Sequence, residues 1–560
     1  MSFFSKYKAL FFEYGIVILI GCFSYFINFY SILSRFSSHI FYLTEDDDAK
    51  IYVWNTWHFT QQLDQGLSPF FTDYFFNPLG SDLWMHANTC WFGLINYIVR
   101  DIELAVNLGI LVQLIVAFLG FYILSKKIVV KPFFAIVVAY VSVFNTFILV
   151  KCGVHFNLVL IGVVPFIIIM VMKTFPFQES TYKLNRVNLV ALILLLVLAF
   201  FMDYYMVFYG LSFLVIYISW FFGLDKWFRN WNRKKTLGLF GIFVFGHTIL
   251  RLLRVLGFDE KGALWGASDI RLLFTPSIDS FFFNHWSISG LTNSVNDNKN
   301  FIGFSLIFLL IIAVFIFVKR FKGDGLSRFL LFTSCSFFLI TFPLIRIGGN
   351  DLFFHFSSII HFVPFVNNVR SPDRFILMLF VFLGLFSFRV FYLFSKDRLG
   401  FKSFVFTFLF VLGFYIDHAQ KPMNSFEINQ GSSVLSQTKN KNVLIIPYGV
   451  RDGFRSFGEF EVDHVLSQIK HGFKMPSGYL SRMDADIWDY SHSEFFKNVV
   501  NVQSDSSVID YDWRSNMIKH KIDYVYVPNS YRNKNQKILC LVQNLKLMDT
   551  DTYGSLYLVE

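Results

Sequence analysis

The sequence is poor in cysteine and in charged residues. Its 560 residues include 5 cysteines, which show neither a CxxC motif nor paired spacing, so neither a zinc site nor a disulfide framework is indicated. Charged residues make up 16% of the chain and hydrophobic residues 55%, and the mean hydropathy is +0.51. Because a soluble domain of this size rarely reaches such values, the composition indicates a membrane protein.

Long apolar runs recur along the first three quarters of the chain. A run of about 18 or more apolar residues is long enough to cross a hydrocarbon core of about 30 Å. We therefore predict a mainly α, polytopic fold with about eleven transmembrane helices. The predicted spans are residues 14–33, 104–124, 132–150, 158–173, 187–202, 204–223, 236–254, 302–318, 329–347, 375–394 and 403–417. The first run is too long, and too close to further spans, to be a removable signal peptide.

The net charge of +10 does not indicate a nucleic-acid-binding face, because the basic residues fall in short clusters between the apolar runs. Short connections rich in Lys and Arg face the cytoplasm, which predicts a cytoplasmic N-terminus. The first outer loop (34–103), two further loops (255–301 and 348–374) and the whole C-terminal tail then lie outside. An enzyme with its polar residues there is separated from cytoplasmic ATP and nucleotide sugars, so its activated substrate must arrive in or through the bilayer.

Residues 418–560 differ in composition from the transmembrane domain predicted for residues 1–417. Short apolar runs at 443–447, 523–528 and 555–559 are bounded by Pro, Gly and Asn. Such runs are typical of strands, so we predict a small extracytoplasmic α/β domain. Within it, the turn-rich segment 468–479 is expected to pack against the membrane part.

The first outer loop is too long for an unstructured connection, and four consecutive acidic residues precede its first helical pattern. Residues 48–62 contain neither Gly nor Pro and predict a helix at the membrane interface. Asp47 and Asp48 would lie at its N-terminus and could simply cap it. One carboxylate could instead be a general base in a partly desolvated site. Asp46, Asp47 and Asp48 could also bind a divalent cation, and their spacing leaves the three alternatives open.

Three other outward residues have both a structural and a functional interpretation. His155 flanks a predicted span end, where it could be a structural hydrogen-bonding residue or contact a lipid diphosphate. Asp203 interrupts an almost continuous apolar stretch; it could turn a hairpin in water, or it could be functional, because acids near membrane depth are costly. Asp269 could cap a helix or line an acceptor cleft.

Arg370 and Arg374 flank a proline directly before a predicted span. Arginines near span ends usually serve topology and lie on the cytoplasmic side, whereas these two are predicted to lie outside. The guanidinium fork suits bidentate contact with a phosphate, and a polyprenyl-phosphate leaving group needs such charge stabilisation. We therefore consider both arginines as candidates for phosphate binding.

Several short motifs on the predicted outer face resemble those of bacterial membrane glycosyltransferases of the GT-C type. The matching residues are Asp48, Trp54 and Trp57; Gly66, Pro69, Phe70 and Asp73; Asn77, Pro78, Gly80, Asp82 and His86; Gly153, His155 and Asn157; and Arg370, Pro372, Arg374 and Phe375. The last motif usually reads Arg-x-Pro-Ala-Arg-Phe in similar proteins, so Asp373 is a departure. The resemblance extends over most of the chain, but only as scattered motifs.

This resemblance implies a multi-pass protein of the bacterial inner membrane that moves a sugar from a polyprenyl-phosphate carrier to a hydroxyl of a cell-surface glycan or lipid, such as lipopolysaccharide. An acidic residue of the first outer loop is the base in this superfamily, which implies Asp48, with Asp47 next. The residues considered for the other roles are Arg374, Arg370 and His155 for the donor phosphate, and Trp54, Asp203, Asp269 and His86 for the acceptor or sugar cleft. Trp54 could stack on a sugar, although we favour a role in anchoring the loop. No cofactor beyond an optional divalent cation is implied.

Two alternatives belong to other classes. A transporter or flippase for a lipid-linked glycan would carry charged or polar residues in the middle of its spans, and the predicted spans are nearly free of charge there. A non-catalytic assembly factor could keep the same scaffold, because fold resemblance alone does not establish activity.

Overall fold

The computed structural model describes most of the chain. The ranges that it leaves undescribed are 1–2, 43–46, 85, 87–89, 177–184, 278, 284, 286–299, 349, 355–370, 397–400, 429–431, 454, 505–510 and 560, together with 226–267 except for residues 238, 244, 245 and 248.

The part of the described chain before the tail is built mainly from α-helices. Their bounds are α1 Phe3–Asn28, α2 Asp47–Asp64, α3 Cys90–Val99, α4 Ile102–Val129, α5 Pro132–Val143, α6 Thr146–Lys151, α7 Val164–Thr174, α8 Arg186–Met202, α9 Tyr204–Ser219, α10 Phe304–Ile316, α11 Gly325–Thr341, α12 Ile376–Ser395 and α13 Phe401–His418. Within the described residues, six stretches are long and apolar enough to cross a membrane: Leu10–Asn28, Ile102–Val129, Phe156–Thr174, Phe304–Phe321, Pro372–Ser395 and Phe401–His418. The chain is therefore a mainly helical, multi-pass membrane protein.

Most of the predicted apolar runs coincide with helices where the structure describes them, and the run at 236–254 lies almost entirely outside the described residues. The run at 329–347 is helical only to Thr341, and its last residues, Leu344–Ile347, form a strand; the run at 132–150 is divided between α5 and α6. The first helix ends earlier than predicted, at Asn28, and a 3₁₀ helix follows at Tyr30–Arg35. The fourth run begins with 3₁₀ turns and becomes α-helical at α7, where a proline occupies the first turn and has no backbone N–H that would need a partner there. The number of eleven spans stays a prediction.

The two ends of helix α4 carry different polar groups. The Asp101 side chain caps the start of α4 by accepting from the Leu104 backbone N–H at 2.9 Å, and Lys126 and Lys127 lie in its last turn. Likewise, α7 ends with Lys173, whereas Asp203 caps the start of α9. Carboxylates at helix starts and ammonium groups at helix ends both complement the helix dipole.

Among the six long apolar stretches of the described residues, the one that contains α12 is the most enclosed, and most residues of α12 are buried. The Phe382 ring stacks on Phe213 of α9, with centroids 5.3 Å apart, and on Phe337 of α11 at 5.6 Å. Since lipid is as apolar as these rings, such packing stabilises the bundle through close van der Waals contact. Gly120 of α4 allows α7 to approach, because a Cβ there would lie 2.5 Å from the Pro165 ring.

The first outer loop contains short strands, and its first residues are hydrogen-bonded to α4. Its strands are β1 Ile40–Tyr42, β2 Phe71–Thr72 and β3 Ser81–Asp82, and β2 pairs with β3 in antiparallel register. The Asn107 side chain of α4 donates to the backbone carbonyls of Phe36 and His39 at 2.7 and 2.8 Å. Gly80 has φ +73°, and a Cβ there would lie 2.7 Å from the Thr72 carbonyl oxygen, so this turn requires glycine. Further along, β4 Leu344–Ile347 pairs with β5 Asn350–Phe354.

The tail combines short helices with two sheets. Its elements are β6 Asn424–Phe426, β7 Val443–Ile445, β8 Gly449–Arg451, β9 Ser456–Gly458, α14 Asp463–His471, β10 Gly478–Tyr479, α15 Ala485–Ser491, α16 Glu494–Gln503, α17 Trp513–Lys519, β11 Tyr524–Pro528, α18 Asn529–Lys534, α19 Leu539–Val542, β12 Lys546–Thr550 and β13 Gly554–Leu558. The larger sheet has the order β12-β13-β11-β7, with β11 parallel to β7, and the smaller has the order β10-β8-β9. The three predicted strands are confirmed as β7, β11 and β13, whereas the boundary at residue 418 stays a prediction.

The tail is joined to the first outer loop along what we call the loop–tail seam, residues 74–77 against residues 475–478. The Met475 backbone N–H donates to the Tyr74 carbonyl at 2.9 Å, and the Asn77 N–H donates to the Met475 carbonyl at 3.0 Å. Strand β1 also pairs with β6 in antiparallel register. Gly478 is required at the seam, because a Cβ there would lie 2.9 Å from the Phe75 and Phe76 side chains.

Candidate active site

Helix α2 begins where the sequence predicts it and places Asp48 in its first turn. The Tyr479 hydroxyl donates to Asp48 Oδ1 at 2.7 Å, and His155 Nε2 lies 2.9 Å from Asp48 Oδ2. The first loop, the segment after α6 and the tail each contribute one of these three residues. The carboxylate is therefore held by groups that are distant from one another in the sequence.

The contacts of His155 define its protonation state. Lys151 Nζ lies 3.4 Å from His155 Nδ1, and an ammonium group only donates, so Nδ1 accepts and the proton resides on Nε2. Burial lowers the pKa of His155 to about 3, and Lys151 acts in the same direction, against the opposing effect of Asp48. At neutral pH the ring is therefore uncharged and donates through Nε2 to Asp48.

Asp48 is ionised in this setting. Burial by itself raises the pKa of its carboxyl, but His155, the Tyr479 hydroxyl and the positive charge of Arg374 outweigh burial and hold that pKa below its usual range. Hydrogen bonds to the charged form favour that form. The site thus presents a partly enclosed carboxylate at the start of a helix.

Arg374 lies in a 3₁₀ turn, Pro372–Phe375, directly before α12. Its carbonyl accepts from the Tyr209 hydroxyl at 2.9 Å, which fixes the turn against α9. The guanidinium carbon lies 4.6 Å from the ring centroid of Tyr205, and the buried Nε has no hydrogen-bond partner among the described residues. Arginine held over an aromatic face keeps its fork oriented, so Nε of this side chain is positioned as a hydrogen-bond donor.

Asp203 ends α8 and starts α9, and its carboxylate is largely committed to the chain. Oδ1 accepts from the Tyr205 backbone N–H at 2.8 Å, and Oδ2 accepts from the Asn157 side chain. Burial raises the pKa of Asp203 against these hydrogen bonds and the positive charge of Arg374. The interpretation as a hairpin turn is thus confirmed for the backbone, although the buried setting differs from a turn in water. Asp373, which stands where the motif Arg-x-Pro-Ala-Arg-Phe of similar proteins has alanine, is buried and accepts from the Ser268 hydroxyl at 3.2 Å.

Asp203 and His86 line the same cleft. His86 Nδ1 accepts from the Ser481 backbone N–H at 3.0 Å, and its Nε2 lies 3.1 Å from Asn55 Oδ1, so the ring connects α2 to the tail. Burial lowers the pKa of His86 to about 4, which keeps the ring neutral. Aromatic side chains form most of the remaining wall. The lining residues are Phe70, Trp84, His86, Cys90, Phe200, Phe201, Asp203 and Tyr204.

Trp54 and Asp269, which the sequence suggested for the acceptor or sugar cleft, do not line the cleft that contains Asp203 and His86. Trp54 is fully buried, stacks on Phe75 with centroids 4.1 Å apart, and donates through Nε1 to Gln468 Oε1 at 2.5 Å. The predicted helix is confirmed, but the position of this indole at a lipid interface is wrong, because the tail covers it. Asp269 caps a 3₁₀ turn, pairs with Arg271 at 2.8 Å and accepts from the Gly348 N–H at 2.6 Å, which agrees with the capping interpretation.

Some predicted site residues lie outside the described residues, namely Arg370, Asp46 and the side chain of Asp47. Among the described residues, no group of three or more His, Cys, Asp or Glu side chains could hold a metal ion. A divalent cation at Asp46–Asp48 therefore stays a prediction.

The sequence did not single out Tyr479 as a site residue. The only signal was the turn-rich segment 468–479, whose expected packing against the membrane part is confirmed by the Trp54–Gln468 contact and the seam. Asn157, which donates to Asp203, belongs to the Gly153–Asn157 motif. Lys151, which contacts His155, lies two residues before that motif. The roles of all these residues in a reaction stay predictions.

The chain is similar in overall structure to solved glycosyltransferases. With the archaeal oligosaccharyltransferase AglB from Archaeoglobus fulgidus, in complex with an inhibitory peptide and a dolichol-phosphate, it shares 11% identity and a TM-score of 0.44, over 100% of this chain and 75% of that chain. With the arabinofuranosyltransferase AftD from Mycobacteria it shares 12% identity and a TM-score of 0.46, over 98% of this chain and 41% of that chain. No family model and no curated protein matches. At these TM-scores the structural similarity assigns no function to the chain. The functional argument therefore rests on the geometry of the site.

Proposed function

We propose that the chain is a membrane glycosyltransferase of the GT-C type, which transfers a sugar from a polyprenyl-phosphate carrier to an acceptor hydroxyl of a cell-surface glycan or lipid. The observation that carries this proposal is the ionised Asp48 carboxylate, held between Tyr479 and His155, with the charge of Arg374 close enough to lower its pKa. A fixed base beside a cation suits a displacement that releases an anion.

In the proposed reaction, Asp48 takes the proton of the acceptor hydroxyl while the acceptor oxygen attacks the anomeric carbon of the donor sugar. The bond between that carbon and the phosphate oxygen breaks, and polyprenyl phosphate leaves with the electron pair. A single displacement inverts the anomeric configuration. His155 stays neutral and orients the carboxylate through Nε2, because Lys151 occupies its other ring nitrogen.

Arg374 receives the phosphate in this proposal. Its Nε has no partner among the described residues, and its guanidinium is oriented over Tyr205, which leaves a donor available for a phosphate oxygen. Bidentate pairs of this kind are strong and directional. Arg370 is assigned to the same phosphate on the sequence motif. The cleft beside Asp203 has aromatic walls and a volume of about 20 Å³, so its side chains must move before the transferred sugar can pack against their ring faces.

The proposed orientation puts the site on the outer face of the inner membrane. Supporting it, α4 and α7 end with lysines, whereas His155 precedes α7 and Arg374 precedes α12. The basic clusters between spans are the cytoplasmic connections under the charge rule. The donor is then reached from within the bilayer.

The test compares surface glycans, by mass spectrometry, in a strain that lacks the chain and in the same strain carrying variants at equal protein level. Asp48→Asn is expected to reproduce the truncated glycan of the null strain, because loss of a general base costs about 10²–10⁴-fold in rate. Asp64→Asn is the matched control, since Asp64 belongs to the same helix but pairs with Arg100 at its far end. An unaltered glycan with Asp48→Asn would contradict the proposal, and loss with Asp47→Asn alone would move the base by one position.

A further inference from the structure

A second cavity lies on the tail, at the end of the loop–tail seam that is remote from Tyr479. It is open to solvent, has a volume of about 360 Å³, and falls within the range of about 300–1,000 Å³ that is usual for small-molecule sites. We call it the tail cavity. Its lining residues are Asn77, Asn440, Asn442, Lys474, Ile518, Lys521, Ile522, Asp523 and Val559.

The lining chemistry matches a ligand rich in hydroxyl groups. The side-chain amide of Asn440 can donate and accept hydrogen bonds. Nδ2 of Asn77 already donates to the Asp73 carbonyl at 3.2 Å and Nδ2 of Asn442 to the Lys521 carbonyl at 2.9 Å, so these two amides offer mainly their oxygens, and Ile518 contributes an aliphatic surface that is 54% exposed. Sugars present this same combination, with hydroxyls around the ring and apolar C–H groups on its faces. The cavity also includes the carboxylate of Asp523, which would repel a free phosphate.

Two polar groups of the cavity lack partners within the described part of the chain. Asn442 is only 4% exposed, yet its Oδ1 accepts no hydrogen bond there. A buried acceptor without a donor is unfavourable, and a ligand hydroxyl that reached it would remove that cost. Lys521 forms no ion pair with any described residue, in contrast to Lys474, which pairs with Asp73 of the first loop.

The backbone at the rim is unusual in the same place. Asn440 has φ +59° and Lys521 has φ +56°, and Phe76, beside the lining residue Asn77, has φ +54°. Lys521 follows α17 at a left-handed turn in which the Ile522 N–H donates to the Met517 carbonyl at 2.9 Å, a position that glycine fills most easily. Side chains retained in such conformations often serve a site, and both Asn440 and Lys521 line the cavity.

A short stretch of chain separates the tail cavity from the candidate active site. Lys474 lines the cavity, and the chain runs from it along the seam to Tyr479, which holds Asp48. These five residue steps span at most about 17 Å at about 3.3 Å per residue. This upper limit on the separation of the two sites is within the length of a short oligosaccharide.

We propose that the tail cavity binds a saccharide unit of the acceptor, several units away from the hydroxyl that is glycosylated. This inference rests on the proposed function, and it makes the acceptor an oligosaccharide instead of a single sugar or a bare lipid. Asn440, Asn442 and Asp523 hydrogen-bond the ring hydroxyls, Ile518 packs against the ring face, and Lys521 binds a hydroxyl or an acidic substituent.

The test uses the full chain in detergent micelles and saturation-transfer NMR with glucose, galactose, mannose, N-acetylglucosamine and glucuronate as probes. At least one saccharide is expected to give a transfer signal, and its affinity is expected to fall at least tenfold in the double variant Asn440→Ala/Lys521→Gln. Lys519→Gln is the matched control, because Lys519 is exposed two residues away and does not line the cavity. Asp48→Asn should bind the saccharide unchanged.

The outcomes separate this inference from the proposed function. Absence of signal from all five saccharides overturns it, as does unchanged binding in the double variant, or equal displacement by inorganic phosphate, which would indicate a plain anion site. If saccharide binding holds while Asp48→Asn still builds the glycan, the proposed function fails and the binding site stands. If Asp48→Asn abolishes the glycan while no saccharide binds, only the cavity assignment fails.

Discussion

The Tyr479 hydroxyl donates to Asp48 Oδ1 at 2.7 Å across 431 positions of sequence. Tyr479 lies in β10, which is paired in parallel with β8, and the guanidinium of Arg451 lies 4.8 Å from its ring centroid. The tail therefore completes the surroundings of a carboxylate that belongs to the first loop. A base positioned in this way depends on the docking of the tail as well as on its own helix.

We expect Tyr479→Phe to reduce kcat/KM by about tenfold, because Asp48 loses a group that fixes its carboxylate, and misplacement of a reacting group costs up to about 10²-fold in rate. The hydroxyl lowers the pKa of Asp48, so its removal raises that pKa. Because the ionised carboxylate is the active form, the acidic limb of the pH–rate profile should move to higher pH. The profile of sugar transfer by the purified chain checks this.

Tyr553→Phe is the control for this variant, since Tyr553 is exposed on the tail. A merely structural role for Tyr479 would lower the rate equally at every pH. An acidic limb that stays in place would therefore contradict the positioning of Asp48 by this hydroxyl.

The helices of the membrane part could be predicted because a bilayer demands long apolar runs whose backbone groups are satisfied internally. His155, Asp203 and Arg374 could be selected because each is a polar residue at the end of such a run, and Asp48 because it belongs to an acidic cluster at the start of a helical pattern and matches the motif of similar proteins. The predicted orientation places these residues on the same side of the membrane, but it does not show which of their atoms are in contact. The bonds from Asn157 to Asp203 and from Lys151 to His155 depend on how the helix ends pack.

The contribution of the tail could not be predicted from periodicity. Trp54 has the pattern of an interfacial tryptophan, and nothing in α2 reveals that Phe75 and Gln468 cover it. Tyr479 belongs to a two-residue strand, which is too short to leave a pattern in the sequence. Long-range docking of irregular segments is set by side-chain complementarity, which a single sequence does not display.

Arg374→Lys is expected to weaken the binding of polyprenyl phosphate by about tenfold, because an ammonium group cannot make the two parallel bonds of a guanidinium. Native mass spectrometry of the chain titrated with polyprenyl phosphate measures this. Arg271→Lys serves as the control, since Arg271 is committed to Asp269 at 2.8 Å. Equal lipid binding by the Arg374 variant and the unaltered chain would remove this residue from the phosphate site.

His58→Leu is expected to stabilise the chain by about 1 kcal/mol at pH 7, because buried polar atoms without partners cost about 1–3 kcal/mol. His58 is 1% exposed, and neither ring nitrogen has a hydrogen-bond partner among the described residues. Thermal unfolding followed by tryptophan fluorescence gives the midpoint. An unchanged or lower midpoint would indicate that the ring has a partner in solution.

The same variant should also reduce sensitivity to acid. Burial lowers the pKa of His58 to about 3, whereas an unfolded histidine titrates near about 6.5. Between these values the unfolded chain binds a proton that the folded chain does not, so His58 makes stability fall as the pH decreases from about 6.5 towards 3. The drop in midpoint between pH 7 and pH 5 should be smaller in His58→Leu than in His285→Leu, whose side chain is exposed.

Trp54 and Gln468 should be energetically coupled, because the indole N–H donates to Gln468 Oε1 while the Gln468 amide donates to the carbonyls of Tyr74 and Phe473, both at 2.9 Å. Trp54→Phe leaves Oε1 buried without a donor, and Gln468→Met removes all three bonds. In a double-mutant cycle read by thermal unfolding, contacting residues of this kind give about 0.5–3 kcal/mol of coupling.

Because the pair of Trp54 and Gln468 joins α2 to the tail, the rate of proteolytic cleavage of the tail should rise in each single variant. Additive effects would mean that the tail is held to the first loop by the backbone bonds of the seam and not by this pair.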